Sequence, residues 1–451
     1  MPINREDFVA QIAKKIEDEE LSVFLGAGVS KEFGIPTWKE IMKPIADKLH
    51  LDIEKQSDYY LLAQYFVNAY GKPELKRYIS NSTLSFKMEN VVLEQLIRFR
   101  LKTIWTTNFD NSIERLLQKN LIRYHTVNND HALVNISTNE ATIVYKLNGD
   151  CYDLDNIVIA MEDWEAYAET HPGMITFLKK ELVSNTFLFY GYSFQDNLVK
   201  SMLSQIQRFV GNSVGMHYSI QKRQESREFD YLIDDLERRY HVKTLLVDSY
   251  DEVAHILKEI AYNVSRHNIF ISGRLGGSID PQTEDQACVL GKELSIALLS
   301  SGYNICTGMG RKIGYFIAGP SIQYLLENGY NHIERRIKIR PFDDSMDMER
   351  RSNYRKGLIE TNSTVIFLYG HSSQNLRSLG MWEEYQIAKA KRKYIIPLGA
   401  TGHESYRIWQ DVKNNLTSYP YLEFSIDELG LETDPKKLSR IVLSILNLIV
   451  Q

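Results

Sequence analysis

The stretch VFLGAGVSKEFGIPTW, Val23 to Trp38, runs from an apolar strand through two glycines into a helical pattern. At such a junction backbone N–H groups and a helix N-terminus can receive a phosphate, and glycine can take positive φ and let a ligand come close to the chain. Gly26 and Gly28 are expected to do this, although GxG alone also fits a tight turn with no ligand. Two later glycine turns, FISGRLGGS (Phe270 to Ser278) and YNICTGMGRKIG (Tyr303 to Gly314), suggest a second nucleotide pocket, with Ser272, Gly273, Arg274, Gly308 and Gly310 as candidates. Arg340 in IRPF and Arg355 or Lys356 in YRKGL are candidates for phosphate contacts, Arg through a fork of donors and Lys as a point charge. A solvated helix face explains the charged run ERRSNYRK equally well. Glu384, or its neighbour Glu383, could accept hydrogen bonds from ribose hydroxyls. VYKLNGD, Val144 to Asp150, ends in Asn148-Gly149, a pair that favours a tight turn. A carboxamide offers an acceptor and a donor but does not titrate near neutral pH, so Asn148 cannot be a general base.

These residues need elements to hold them. LSVFLG, KTIWTTN, IRYHTV, TIVYKL, NIVIA, TFLFYG, MHYSIQ and KTLLV read as strands, most of them separated by helical patterns such as Leu198 to Val210 and Ser226 to Tyr240. A long helical stretch from about Trp38 to Phe99 interrupts the series after the first strand. The rhythm restarts with NIFISG and continues through YNICT, RRIKIRP, STVIFLYG and KYIIPLG. This alternation predicts an α/β chain of two Rossmann-like domains with parallel sheets, residues 1–264 and 265–451, the first with a helical insertion. The joint is short and has no Gly/Ser-rich or Pro-rich tether.

Composition sets outer limits. A chain of 451 residues has room for two or three domains. The formal net charge is −5, with Lys and Arg spread along the chain, so no nucleic-acid or membrane partner is expected. The three cysteines, Cys151, Cys288 and Cys306, form no CxxC pair and cannot build a disulfide framework or a four-cysteine zinc site, which fits a reducing cytoplasm and no metal. MPINREDFVAQIAKKIEDEE reads as a charged amphipathic helix rather than a signal peptide. IVLSILNLIV is shorter than the roughly 20 residues a membrane span needs; Leu443, Ile445, Leu446, Leu448 and Ile449 are expected to pack the last helix onto a core.

The string GAGVSxxxGIPxW resembles the NAD-binding signature of the sirtuin-like family. WTTNFD (Trp105 to Asp110) is similar to that family's segment whose Asn and Asp address the ribose beside nicotinamide, and FYGYSFQD (Phe189 to Asp196) to its later glycine-serine turn. The resemblance covers roughly the first 260 residues and implies a dinucleotide site made by Gly26, Ala27, Gly28, Ser30, Ile35, Pro36, Thr107, Asn108, Gly191, Ser193 and Asp196. It implies catalytic roles for Asn108, Asp110 and the residue at 148, where the family carries a His as general base. Asn148 then marks an inactive form of a His-bearing enzyme, the reading preferred, or a member that lost or relocated the base. His125 and His131 are poor substitutes. The missing four-cysteine module favours NAD hydrolysis over deacylation.

The second half resembles the SLOG family, a Rossmann-like fold related to phosphoribohydrolases. SLGMWEEYQIA (Ser378 to Ala388) departs from the PGGxGTxxE string of those enzymes, which favours ligand binding over hydrolysis. A sirtuin-like domain followed by SLOG resembles the NADase effectors of bacterial Thoeris antiphage systems. That resemblance implies NAD as substrate, a cyclic ADP-ribose isomer as activator, a TIR-domain partner that makes the isomer, and a homotetramer able to form filaments. The competing classes are a nucleotide-sensing protein without catalysis and a zinc-free deacylase.

Overall fold

The computed structural model describes residues 2–83, 89–135, 141–194, 197–211, 215–276, 279–343, 345–371 and 378–450. The chain divides into two compact units, Met1–Ala261 and Tyr262–Gln451. The division falls inside the helix Asp251–Ser265, a few residues before the joint read from the sequence.

In the first unit seven strands form one sheet: β1 (Leu21–Leu25), β2 (Thr103–Thr106), β3 (Tyr124–Val127), β4 (Thr142–Lys146), β5 (Thr186–Tyr190), β6 (His217–Lys222) and β7 (Val242–Val247). Their order is β3-β4-β2-β1-β5-β6-β7, and every pairing is parallel. From β1 the chain first builds towards β2, β3 and β4, then crosses to β5 and continues outward. The strand ends beside β1 therefore open a crevice of the kind in which open α/β sheets hold ligands. All five residues of β1 are buried, as a central parallel strand requires.

Among the described residues the helical stretch after β1 holds four α-helices, Trp38–Lys48, Tyr59–Tyr70, Lys72–Thr83 and Val91–Arg98, and one 3₁₀ turn, Ile53–Lys55. Thr37 and Glu40 form a reciprocal capping box that starts the first of them. Ile41, Ile45, Leu62, Phe66, Leu75 and Ile79 give the insertion its own core, which also takes in Ile157 and Ile159. NIVIA is thus not a strand. Its apolar side chains are used under the insertion, and Val158 N donates to Asn148 O (2.9 Å) rather than to a sheet ladder.

The second unit has five parallel strands, β8 (Asn268–Leu275), β9 (Asn304–Thr307), β10 (Ile337–Ile339), β11 (Thr364–His371) and β12 (Tyr394–Pro397), in the order β10-β9-β8-β11-β12. Again the order reverses beside the first strand. Ser272, Gly273 and Arg274, expected in a turn, instead continue β8, because the equally long β11 pairs with them through Phe367, Leu368 and Tyr369. On the last helix, Pro435–Val450, Ile445 and Leu446 are buried and Leu443 and Ile449 pack at the core's edge, but Leu448 is 56% exposed and belongs to the outer face. Among the described residues no helix is long and apolar enough to cross a membrane, and no group of His, Cys, Asp and Glu is arranged to hold a metal ion.

Candidate functional site

The GAGVS turn is built by interlocking with the turn after β5. Gly26 N donates to Tyr190 O (3.0 Å) and Gly28 N to Gly191 O (2.9 Å). A Cβ on Gly26 would lie 2.3 Å from Gly191 O, and one on Gly28 2.9 Å from Gly191 Cα. Gly26 has φ −101°, and neither it nor Gly28 is among the residues of positive φ. These two glycines therefore admit a neighbouring backbone, and their amides are already used; the expectation of positive φ and bare N–H groups is corrected at both. Gly191 does need a left-handed conformation (φ +65°), and a Cβ there would lie 2.7 Å from Val29 N.

From this turn a chain of hydrogen bonds leads to the end of β2. Ser30 Oγ donates to Asp110 Oδ2 (2.6 Å) and accepts from Asn108 Nδ2 (2.8 Å), which also donates to Gly26 O (3.0 Å). Because both partners of Nδ2 act as acceptors, the amide of Asn108 has one orientation, and Oδ1 is left to accept from a ligand or water. Asp110 Oδ1 accepts from Ser112 N (3.0 Å).

Asn148 is at once a turn residue and a wall of the same site. Gly149 has φ +87° and Gly149 N donates to Lys146 O (3.2 Å), while Asn148 Nδ2 donates to Tyr60 Oη (3.2 Å) on the insertion. Beneath the turn Lys146, wholly buried in β4, donates to the carbonyls of Phe109 (3.1 Å) and Asp110 (2.6 Å) and to Asp150 Oδ2 (2.6 Å), and lies 3.2 Å from Glu114 Oε1. Burial works against the ammonium, but the charges of Glu114 and Asp150 outweigh it and hold Lys146 above its ordinary pKa. Glu114 is raised by burial, against the pull of Lys146.

These parts surround one cavity of about 1260 Å³. Ala27, Gly28, Ser30, Ile35, Pro36, Thr107, Asn108, Asp110, Asn148, Gly191 and Ser193 all line it. Gly26 lies behind the turn, and Asp196 falls outside the described residues. Trp38 and Phe109, with ring centroids 5.5 Å apart, join Asn108 and Asn148 on the β2 and β4 side. On the β5 to β7 side stand Tyr190, Gln221, Gln224, Tyr250 and Asp251. Glu32 also lines the cavity, accepts from Tyr190 Oη (2.6 Å), and has its pKa raised by burial. The cavity thus extends to both sides of β1.

Sequence reasoning missed Tyr60, Lys146 and the Glu32–Tyr190 pair. Lys146 alone left a trace, a lysine inside an otherwise apolar strand, since lysine is almost never fully buried without a partner.

In the second unit Ser272 Oγ donates to Glu384 Oε2 (2.5 Å), and Arg355 lies 2.6 Å from Glu383 and 3.5 Å from Glu384. Burial pushes the Glu384 carboxyl up to about 7. A Cβ on Gly310 would lie 2.0 Å from Gly273 O, so Gly310 again serves a close crossing of backbones, while one on Gly273 would lie 2.8 Å from Ile313 Cγ2. Gly308 packs against Phe342, over whose ring Arg355 sits at 5.1 Å. Arg340 is exposed just past β10, its N bonded to Thr307 O (2.9 Å). The structure therefore gathers Ser272, Arg355 and Glu384, and Gly273 with Gly310. Lys356 stays on the exposed face of its helix.

Comparison with known proteins follows the same division. Residues 102–245 match a SIR2-like domain family, and residues 252–449 match the Sir2- and TIR-associating SLOG family. A relative in Bacillus cereus (strain MSX-D12), named NAD(+) hydrolase ThsA, is 28% identical over 96% of this chain and 95% of its own length. A relative of the same name in Cytobacillus dafuensis is 29% identical over 94% of this chain and 91% of its own. Over nearly its whole length the chain is thus similar to the ThsA proteins. A solved Sir2 homologue in complex with ADP-ribose is 14% identical over 56% of this chain and 97% of its own, with a TM-score of 0.36, a likeness too loose to carry weight. The SIR2-like match begins just before β2, so the glycine turn after β1 stands outside it.

Proposed function

We propose that the first unit is an NAD hydrolase site whose turnover is governed by a nucleotide signal bound in the second. One observation carries this reading. Asn108, Asp110 and Asn148 converge on a cavity that spans the reversal of strand order and exceeds the roughly 300–1,000 Å³ of ordinary small-molecule sites. A two-headed nucleotide suits that shape, and the name NAD(+) hydrolase borne by the relatives supports it.

Hydrolysis breaks the bond between the nicotinamide nitrogen and ribose C1′. Its electrons leave with nicotinamide, water forms the new C1′–O bond, and ADP-ribose and one proton complete the balance. Positive charge shifts from the pyridinium to the sugar as the bond lengthens. The Asp110 carboxylate, fixed by Ser30, supplies a favourable field, and Asn108 Oδ1 can hold the water. Asn148 can orient that water but cannot take its proton.

The regulated role follows from the second unit. A constitutive NAD hydrolase would be toxic, so control requires a ligand that binds active and inactive states differently. The SLOG family's description as Sir2- and TIR-associating supports a link to a TIR protein; from the sequence resemblance we infer that the ligand is a TIR-made cyclic ADP-ribose isomer and that the chain is a bacterial antiphage effector acting as a homo-oligomer in the cytoplasm.

Nicotinamide release tests the reading on the chain as written and on Asn148→His, each with and without a cyclic ADP-ribose isomer. The His variant is expected to gain about 10²- to 10⁴-fold when the signal is present. No release from either chain, with NAD still bound, would favour the second reading that Asn148 itself supports, nucleotide sensing without catalysis.

A further inference from the structure

The charges on the cavity wall are one-sided. Among the described residues that line it, the carboxylates of Glu32, Asp58, Glu89, Asp110 and Asp251 outnumber the one ammonium, that of Lys31. Four of the five are held by uncharged donors: Glu32 by Tyr190 Oη (2.6 Å), Asp58 by Leu61 N (3.0 Å), Asp110 by Ser30 Oγ (2.6 Å) and Asp251 by Ser249 Oγ (2.9 Å). Hydrogen bonds of that kind orient a carboxylate without cancelling its charge.

Two of these acids stand together. Asp251 is near enough to Glu32 to raise its proton affinity, and beside them the rings of Tyr190 and Tyr250 meet edge to face at 6.3 Å. This is the β5 to β7 side, away from Asn108 and Asn148. If those two asparagines mark the bond that is cut, as proposed above, the adenosine half of the dinucleotide lies by Glu32 and Asp251. At that half NAD and NADP differ by one group, a phosphate on the ribose 2′ oxygen that adds about −1.5 to −2 charge.

We propose that Glu32 and Asp251 make the cavity selective for the dinucleotide with a free 2′-hydroxyl and reject its 2′-phosphorylated form. A carboxylate accepts hydrogen bonds from ribose hydroxyls and repels a phosphate in the same position. Rejection of the wrong ligand by like charge is the negative half of specificity. Lys31 does not reverse the sign, since two carboxylates at this end oppose its one charge.

The inference rests on the dinucleotide reading, and calorimetry on the full chain separates the two. NAD and NADP are titrated at low and at moderate ionic strength into the chain as written and into Glu32→Gln/Asp251→Asn. NADP is expected to bind about 10- to 100-fold more weakly than NAD, with the ratio shrinking as salt rises and falling to within about threefold in the double variant. Equal affinities in the unaltered chain, or an unchanged ratio in the variant, overturn the assignment of Glu32 and Asp251 while leaving the NAD site standing. Binding of neither ligand overturns the dinucleotide reading itself. Asp251 is exposed, and Gln at position 32 keeps an acceptor for Tyr190; should the double variant melt early, Asp251→Asn alone gives the same ratio test.

Discussion

At position 148 the polypeptide places a carboxamide against a phenol, Asn148 Nδ2 donating to Tyr60 Oη at 3.2 Å. A side chain that handles a proton or a water must be held in one rotamer, and Tyr60 is the insertion's means of holding this one. In the Asn148→His background, Tyr60→Phe is expected to lower kcat for nicotinamide release about tenfold and to move the pH profile, because the phenol fixes both ring position and tautomer. A change in KM alone, with kcat and pH profile intact, would assign Tyr60 to substrate contact instead. Ser30, Asn108 and Asp110 could be read from the sequence because each sits in a short string beside a strand end. Tyr60 could not, since its contact spans 88 positions and depends on how the insertion folds back. The Glu32–Tyr190 pair was hidden in the same way, across 158 positions.

Among the elements, β4 shows where pattern reading succeeds and where it stops. TIVYKL reads as a strand and forms one, yet its lysine is wholly buried and braces the loop that carries Asn108 and Asp110. Lys146→Met would leave Asp150, Glu114 and two carbonyls without their cation. Removing one partner from such a buried pair costs about 3–5 kcal/mol. Urea unfolding should show a loss of that size in the first unit, together with weaker NAD binding as the loop relaxes. A loss below about 1 kcal/mol would mean that the acids neutralise by taking up protons and that the lysine is not the brace. The glycine turns after β1 and β9 were legible as turns, but Gly26, Gly28 and Gly310 serve close backbone crossings that only the sheet order reveals. NIVIA misled for a related reason: its apolar run is spent beneath helices, and periodicity cannot tell a buried strand from a buried loop of the same length.

Across the whole molecule the two-sheet plan was readable, because alternating strand and helix patterns leave few topologies open. What the pattern did not disclose is that each unit buries a titratable group, with opposite consequences. In the first unit His217 accepts from Phe187 N (3.1 Å) through Nδ1, and burial depresses its pKa to about 4. A folded pKa below the unfolded value of about 6.5 means that the unfolded state binds the proton more readily, so stability present above pH 6.5 is lost as pH falls towards 4. In the second unit Glu384 is raised from 4.5 to about 7, so the folded state holds the proton and stability is gained as pH falls from 7 towards 4.5. Between pH 7 and pH 5 each group contributes about 2 kcal/mol, the first unit losing and the second gaining. Calorimetry of the full chain at the two pH values should therefore show the melting of the two units moving in opposite senses as far as these groups control it. Glu384→Gln keeps an acceptor for Ser272 and should abolish the second unit's gain; His217→Asn keeps an acceptor for Phe187 N and should reduce the first unit's loss. If both transitions shift identically in the unaltered chain and in these variants, neither buried group sets the pH response, and it arises instead from the many surface carboxylates.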